Sequence, residues 1–128
     1  MRTIVVTGGA VPGHDERTYE EFLMRMRASR HGSRVHVLGW IPRPRLAALY
    51  ARANVGLNIE RVLYERALGA ENRVVEWMRH GIPAVTTAAS ESGRDLVKRE
   101  LAFAIDQRHP QTLARILVEL SRDRDRVR

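Results

Sequence analysis

The chain lacks cysteine, so disulfides and thiolate metal sites are excluded. Long apolar runs are also missing, since none approaches the roughly 18 residues that a membrane-spanning helix needs. The first residues, 1–6, pass directly into a strand pattern, without the apolar segment of a secretory signal. From these absences we predict a cytoplasmic protein.

Lysine and aromatic residues are scarce. Lys98 is the only lysine, so the formal net charge of +7 rests on arginine. Such a charge favours an anionic ligand, a nucleic acid or a negatively charged membrane surface, unless it reflects only a coding bias towards arginine. The arginines are scattered, and an aromatic content of 5% supplies no run of rings on which RNA bases would stack. We therefore expect no nucleic-acid partner; a continuous arginine face would be the feature that supports one.

Strand-like and helix-like segments alternate along the 128 residues. The predicted strands are 3–7, 35–38, 55–59, 84–87 and 101–105, and the predicted helices are 19–28, 46–53, 70–80, 93–99 and 112–120. The alternation predicts an α/β, Rossmann-like domain over residues 1–121, with a parallel sheet of about five to six strands flanked by helices. The apolar run 3–7 is typical of a strand buried on both faces. Residues 122–128 are expected to form a polar tail.

The stretch 65–87 organises the chain as a loop, a helix, a tight turn and a strand. Gly69 lies just before the helix, which is expected to turn Val74, Val75 and Met78 inward. Gly81 and Pro83 end it, because glycine accepts a left-handed C-cap and proline cannot continue a helix. The unpaired N–H groups at the helix start are suited to a phosphate. The pattern equally allows the helix's polar residues to be only a solvated face.

Ligands of parallel sheets bind outside the carboxyl ends of the strands. Here those ends carry the segments 8–13, 39–42, 60–69 and 87–93. The first begins with Gly8 and Gly9 and looks like the opening of a short-chain dehydrogenase. That interpretation fails, because Val11 and Pro12 replace the middle glycine of the dinucleotide fingerprint. The loop is either a phosphate contact through its backbone or a plain turn.

Residues 76–85, Glu-Trp-Met-Arg-His-Gly-Ile-Pro-Ala-Val, are similar to the Glu-Ala-Met-Ala-x-Gly-x-Pro-Val-Val motif of GT-B-fold glycosyltransferases. The motif belongs to the C-terminal, donor-binding domain of the group 1 or family-4-like enzymes. Segments 37–42 and 46–56 resemble the part of that domain before the motif, and 87–105 and 110–120 resemble the part after it. The resemblance covers nearly the whole chain, and it implies a domain that binds a nucleoside diphosphate sugar, whose sugar is transferred to an acceptor.

The resemblance also implies roles for individual residues. Glu76 corresponds to the carboxylate that binds the ribose, and Arg73 to a cation at the diphosphate. The family's first glutamate should lie eight residues before Glu76, but position 68 is leucine. Glu65, eleven residues before Glu76, fits a variant spacing and is assigned as the catalytic residue near the donor sugar. The remaining donor-binding candidates are Gly8, Gly9, Trp40, Gly69 and Asn72. Trp40 is suited either to stacking on the base or to a half-buried rim position.

In this family no dinucleotide is used and many members need no metal, so the resemblance implies neither cofactor nor metal; the nucleotide sugar is a substrate. It implies that the acceptor-binding N-terminal domain is missing and that the fragment alone binds donor weakly and is inactive. Peripheral membrane association of the full enzyme stays open. The alternative is a Rossmann-like ligand-binding or partner module without transferase chemistry. A transferase requires Glu65, Arg73 and Glu76 to point into one cleft, whereas a binding module has no such requirement and can leave them on open surface.

Overall fold

A computed structural model describes residues 3–14, 16–61 and 63–122. Within it the helices and strands alternate as the sequence predicts, except that a short helix, Tyr64–Ala67, lies in the predicted loop 60–69, so that two helices follow one another there. In chain order they are β1 (Ile4–Thr7), α1 (Glu16–Ala28), a 3₁₀ turn (Gly32–Arg34), β2 (Val35–Gly39), α2 (Arg43–Tyr50), β3 (Gly56–Asn58), α3 (Tyr64–Ala67), α4 (Asn72–Arg79), β4 (Ala84–Thr86), α5 (Glu91–Lys98), β5 (Ala102–Ala104) and α6 (Pro110–Arg122). Of the predicted polar tail, Arg122 ends α6, and 123–128 lie outside the described residues.

The chain divides into two compact units, Met1–Ala47 and Ala48–Arg128, called here the first and the second unit. In the first unit β1 and β2 run parallel, with Ile4 opposite Val35, and α1 connects them. The expectation that β1 is buried on both faces is wrong, since the side chains of Ile4 and Val5 are about half exposed. Among the described residues β1 pairs with β2 alone, which leaves its other edge without a strand.

The second unit contains a three-stranded parallel sheet in the order β3–β4–β5. Gly56 lies opposite Ala84, and Ala84 opposite Ala102. The predicted α/β, Rossmann-like class with parallel strands is confirmed. The predicted single sheet of about five to six strands is not, because the described residues form one sheet of two strands and one of three. Apolar runs indicate where strands lie, whereas the hydrogen bonds of the folded chain decide which strands are neighbours.

Two apolar clusters stabilise the second unit. One lies between α4 and the sheet and consists of Val74, Trp77, Ile82, Ala84 and Ala102. The other contains Val85, Ile105 and Leu120 and covers the sheet with residues of α6. Burial of this kind is the main favourable term in folding. The described helices include none with the length and apolar character needed to cross a bilayer.

The inward face of α4 differs from the prediction by one residue. Val74 is fully buried and Met78 packs on the cluster, as predicted, but Val75 is exposed and Trp77 is buried instead. Successive helix residues are rotated by about 100°. Trp77 and Met78, three and four residues after Val74, therefore share its face, whereas Val75, the residue directly after it, does not.

The end of α4 confirms the predicted glycine stop. Gly81 has φ of +67°, the left-handed conformation that glycine adopts without strain. Its N–H donates to the Met78 carbonyl at 3.0 Å, and the Ile82 N–H donates to the Trp77 carbonyl at 2.9 Å. These two bonds form a Schellman motif, and Ile82 packs with Trp77 in the same cluster.

The contact between Gly56 and the Trp77 ring predicts a steric effect on stability. A Cβ at position 56 would overlap the indole ring. Gly56→Ala is therefore expected to lower the free energy of unfolding by about 1–3 kcal/mol, as overpacked cores do. Urea unfolding followed by circular dichroism measures the change. Gly69→Ala is the matched control, because a Cβ there meets only ordinary contacts at 3.5 and 3.7 Å. Equal stability of the two variants would contradict the prediction.

Candidate functional site

The buried polar residues of the second unit gather at the carboxyl edge of its sheet. Four polar or charged residues are buried in the described part of the chain, and all four belong to this edge or to the loops beside it: Asn58, Glu71, Thr86 and Ser90. Asn58 and Thr86 are the last residues of β3 and β4. Together with Arg73 and Ser92 they form what we call the polar edge. Burying a polar group is costly unless it is hydrogen-bonded. The gathering of the buried polar residues at one edge therefore makes that edge the candidate functional site.

Glu71 is the buried charged residue of the polar edge, and it lies at its centre. It is 5% exposed. Its Oε2 accepts a hydrogen bond from Thr86 Oγ1 at 2.9 Å, and its Oε1 accepts one from Ser90 Oγ at 3.0 Å. Its backbone N–H donates to Ser92 Oγ at 3.1 Å. The carboxylate is thus paired with hydroxyl donors that come from the end of β4 and the loop after it.

Two helices start at this edge, and their first turns differ. Ser90 caps α5, because its Oγ accepts from the Gly93 N–H at 2.9 Å. Glu71 is the N-cap residue of α4, but its side chain makes no capping bond, since the carboxylate is directed to Thr86 and Ser90. The first N–H groups of α4 therefore lack a side-chain acceptor, which is the condition under which a helix start binds an anion.

Arg73 and Asn72 stand in the first turn of α4, and both are exposed. Arg73 Nη1 donates to Asn58 Oδ1 at 3.2 Å, which fixes the guanidinium near the end of β3. Gly69 lies three residues before the helix, is exposed, and donates its N–H to the Arg66 carbonyl at 3.1 Å. Of the predicted residues, Asn72 and Arg73 are thus brought to the polar edge.

The two predicted glutamates lie in different elements of the second unit. Glu76 is on α4, its side chain is 31% exposed, and it faces Arg79 Nη1 at 3.6 Å and His80 Nε2 at 3.7 Å. Glu65 is exposed in the short helix α3. None of the hydrogen bonds and ion pairs of the described residues joins Glu65 to Arg73 or Glu76. Their assignment to one cleft stays a prediction.

The three remaining candidates come together within the first unit, at the carboxyl ends of β1 and β2. Gly8 has φ of +91°, and its N–H donates to the Gly39 carbonyl at 2.8 Å. Gly9 lies against the Trp40 ring, and Trp40 Nε1 donates to the Ala10 carbonyl at 3.2 Å. The Trp40 side chain is nevertheless 70% exposed. The indole is thus held by its N–H while much of its surface stays open.

A separate charged group follows β5. Hydrogen bonds from the Arg108 side chain and backbone N–H hold the pKa of Asp106 well below its usual range. The carboxylate also faces His109 Nδ1 at 3.4 Å. Asp106 is thus kept ionised by its own loop. In residues 3–14, 16–61 and 63–122, no group of three or more His, Asp or Glu residues is placed to hold a metal ion.

Asn58, Thr86 and Ser92 are not among the site residues that the sequence predicts. Glu71 and Ser90 lie in segments that it does single out, the start of the predicted helix 70–80 and the loop 87–93, where Ser90 is only a weaker candidate. The available signal is weak: several short polar residues directly follow a buried strand, and an acid directly precedes a helix. Thr86 and Ser90 bond to the Glu71 carboxylate, whereas Ser92 bonds to the Glu71 backbone N–H and Asn58 to Arg73. That they gather at one edge depends on the pairing of β3 with β4 and on the close packing of α5. Gly93 permits that packing, since a Cβ there would overlap the Glu71 carboxylate.

A family model described as glycosyl transferases group 1 matches residues 2–123. A comparison with curated proteins and a comparison with solved structures gave no match.

Loss of the Ser90 hydroxyl is expected to destabilise the second unit. Ser90→Ala removes the N-cap of α5 and one of the two hydroxyl donors to the buried Glu71 carboxylate, at a cost of about 1–3 kcal/mol. Ser121→Ala is the matched control, because the Ser121 hydroxyl bonds only to the Val118 carbonyl of its own helix. Chemical denaturation of both variants measures the difference. A Ser90 variant as stable as the Ser121 variant would show that the cap and the carboxylate contact contribute nothing.

Proposed function

Because this chain belongs to the group 1 glycosyl transferases, we propose that it binds the nucleoside diphosphate sugar whose sugar is transferred to an acceptor. The family match over residues 2–123 is the observation that carries the proposal. The polar edge of the second unit supports it, because it lies where ligands of parallel sheets bind.

The diphosphate is assigned to the start of α4. Its first N–H groups have no side-chain cap, whereas the start of α5 is capped by Ser90. The Arg73 guanidinium, held by Asn58, adds a cation in the same turn. Arginine binds phosphate oxygens in a bidentate manner, and a helix start adds oriented N–H groups. Asn72 and Gly69 flank this position and complete the proposed contact.

Glu76 is assigned to the ribose. Its carboxylate contacts Arg79 and His80 at 3.6 and 3.7 Å, distances longer than those of strong charged hydrogen bonds. Its oxygens therefore retain the capacity to accept from two ribose hydroxyls. In the first unit, the open face of Trp40 is suited to stacking on a base, and the Gly8 and Gly9 backbone is suited to a phosphate. Each of these first-unit contacts is a proposal to be tested on its own.

Sugar transfer breaks the bond between the anomeric carbon and the diphosphate oxygen and forms one to the acceptor oxygen, whose proton passes to the released diphosphate. Negative charge develops on the departing diphosphate. N–H groups and a guanidinium fixed in advance at that position lower the barrier, because they need no reorganisation during the reaction. Glu65 is assigned to the donor sugar as the catalytic carboxylate. We propose that no cofactor or metal takes part, and that an acceptor-binding domain must act with this chain, which alone does not turn over.

Binding of a nucleoside diphosphate tests the proposal directly. Isothermal titration calorimetry with UDP, GDP and ADP is expected to show one of them binding in the micromolar to millimolar range, roughly −4 to −8 kcal/mol. Glu76→Ala is expected to remove this binding, and Arg73→Ala to weaken it about tenfold or more, since each removes a charged contact worth about 1.5–3 kcal/mol.

Two variants serve as matched controls. Glu119→Ala removes an exposed carboxylate from α6, and Arg99→Ala removes an exposed arginine that pairs with Asp95 at the far end of α5. Both are expected to bind like the unmodified chain. If no nucleotide binds, or if binding is indifferent to Arg73 and Glu76, the donor-binding proposal is wrong and a module without transferase chemistry is the better interpretation.

A further inference from the structure

Glu71 is a buried carboxylate that takes part in none of the proposed donor contacts. It lies immediately before α4, the helix assigned to the diphosphate, yet it is directed away from the helix start. A buried carboxylate is costly unless hydrogen bonds replace its hydration. Here each carboxylate oxygen accepts a hydrogen bond from a hydroxyl group in place of water, one from Thr86 Oγ1 and one from Ser90 Oγ.

The hydrogen bonds around Glu71 run in one direction. Thr86 Oγ1 accepts from the Ala88 N–H at 3.0 Å, so the hydroxyl's single proton is given to Glu71 Oε2. Ser90 Oγ accepts from the Gly93 N–H at 2.9 Å and gives its proton to Glu71 Oε1. With its proton given to Glu71, Ser90 Oγ accepts from the Ser92 hydroxyl, which lies 3.1 Å away. In this arrangement both hydroxyl protons have their acceptor on Glu71. Only a carboxylate supplies two acceptor oxygens there, since an amide offers one acceptor and one donor.

The loop that these bonds enclose, residues 86–93, carries backbone strain. Ala88 has φ of +49°, a conformation unusual for a residue with a side chain. Such a conformation persists only where the surroundings impose it. The Ala88 N–H is bonded to Thr86, whose proton goes to Glu71, so the carboxylate lies at the end of the chain of bonds that holds Ala88.

We propose that Glu71 is a positioning residue, which holds the 86–93 loop and the first turn of α4 in the arrangement that binds the donor diphosphate. It acts through Thr86, Ser90 and Ser92 and does not touch the ligand. The identity of the ligand as the donor rests on the proposed function, whereas the holding of the loop rests on the geometry alone.

Glu71→Gln in the full 128-residue chain tests the inference by two measurements. The affinity for whichever of UDP, GDP and ADP the unmodified chain binds is expected to fall at least tenfold, at a temperature where circular dichroism shows the variant fully folded. Amide hydrogen exchange at Ala88 and Gly93 is expected to accelerate at least tenfold, while the amides of α6 keep their rates.

Three further variants separate positioning from loss of stability. Glu119→Gln makes the same chemical change on the exposed side of α6 and is expected to alter neither measurement. Ile105→Val weakens the buried cluster of Val85 and Leu120, and is expected to accelerate exchange across the second unit without changing affinity. Thr86→Val removes one hydroxyl donor to Glu71 together with the acceptor of the Ala88 N–H, and so breaks the same chain of bonds at its next link. It replaces Glu71→Gln if that variant does not fold, and the same loop-confined change is expected.

Each outcome decides the matter. Unchanged affinity in folded Glu71→Gln overturns the inference whatever the exchange shows, because the ligand would then not depend on the residue. A loss of affinity with exchange raised evenly across the second unit overturns it as well, because the effect would then be loss of stability. If the unmodified chain binds none of the three nucleotides, the proposed function and the donor part of the inference both fail. The exchange pattern then still decides whether Glu71 holds the loop.

Discussion

The second unit depends on one requirement, that the Glu71 carboxylate, removed from water, be supplied with hydrogen-bond donors. Thr86 and Ser90 meet it, and both have their own lone pairs engaged by backbone N–H groups. One hydrogen-bond network therefore connects the end of β4, the following loop and the starts of α4 and α5, and it fixes their relative positions. Gly93 is part of the same constraint, because a larger residue would displace the carboxylate. The side chains at the carboxyl edge are therefore held in a defined arrangement.

Apolar packing against the sheet of the second unit stabilises that hydrogen-bond network. The buried apolar side chains of the described residues belong to the second unit, where Trp77 closes over Gly56 and α6 covers Val85. The described residues of the first unit are at most partly buried. Polar positions at the edge gain precision from this arrangement, because side chains placed on strands and helices that pack tightly move little. The chain belongs to the group 1 glycosyl transferases, and the donor site proposed above lies at that edge.

Much of the fold can be predicted from local patterns. Gly81 and Pro83 end α4 for reasons of backbone geometry, and the alternation of strands with helices indicates the α/β class. What depends on tertiary packing is harder to predict. Val75 and Trp77 are both apolar, and only the direction of α4 toward the sheet decides which is buried. Glu71 resembles any acid before a helix, since its burial depends on Thr86 and Ser90, which are distant along the chain. Two small sheets, likewise, cannot be distinguished from one large sheet by counting apolar runs.

The placement of the two tryptophans has a practical consequence. Trp40 is 70% exposed in the first unit and Trp77 is 8% exposed in the second, and the chain has no others. Indole emission shifts to shorter wavelength when the ring leaves water. The tryptophan emission of this protein is therefore expected to combine a signal from an exposed ring with one from a buried ring, and a single phenylalanine replacement at either position leaves the other as the reporter of its own unit. Quenching by a soluble agent would distinguish them without any label.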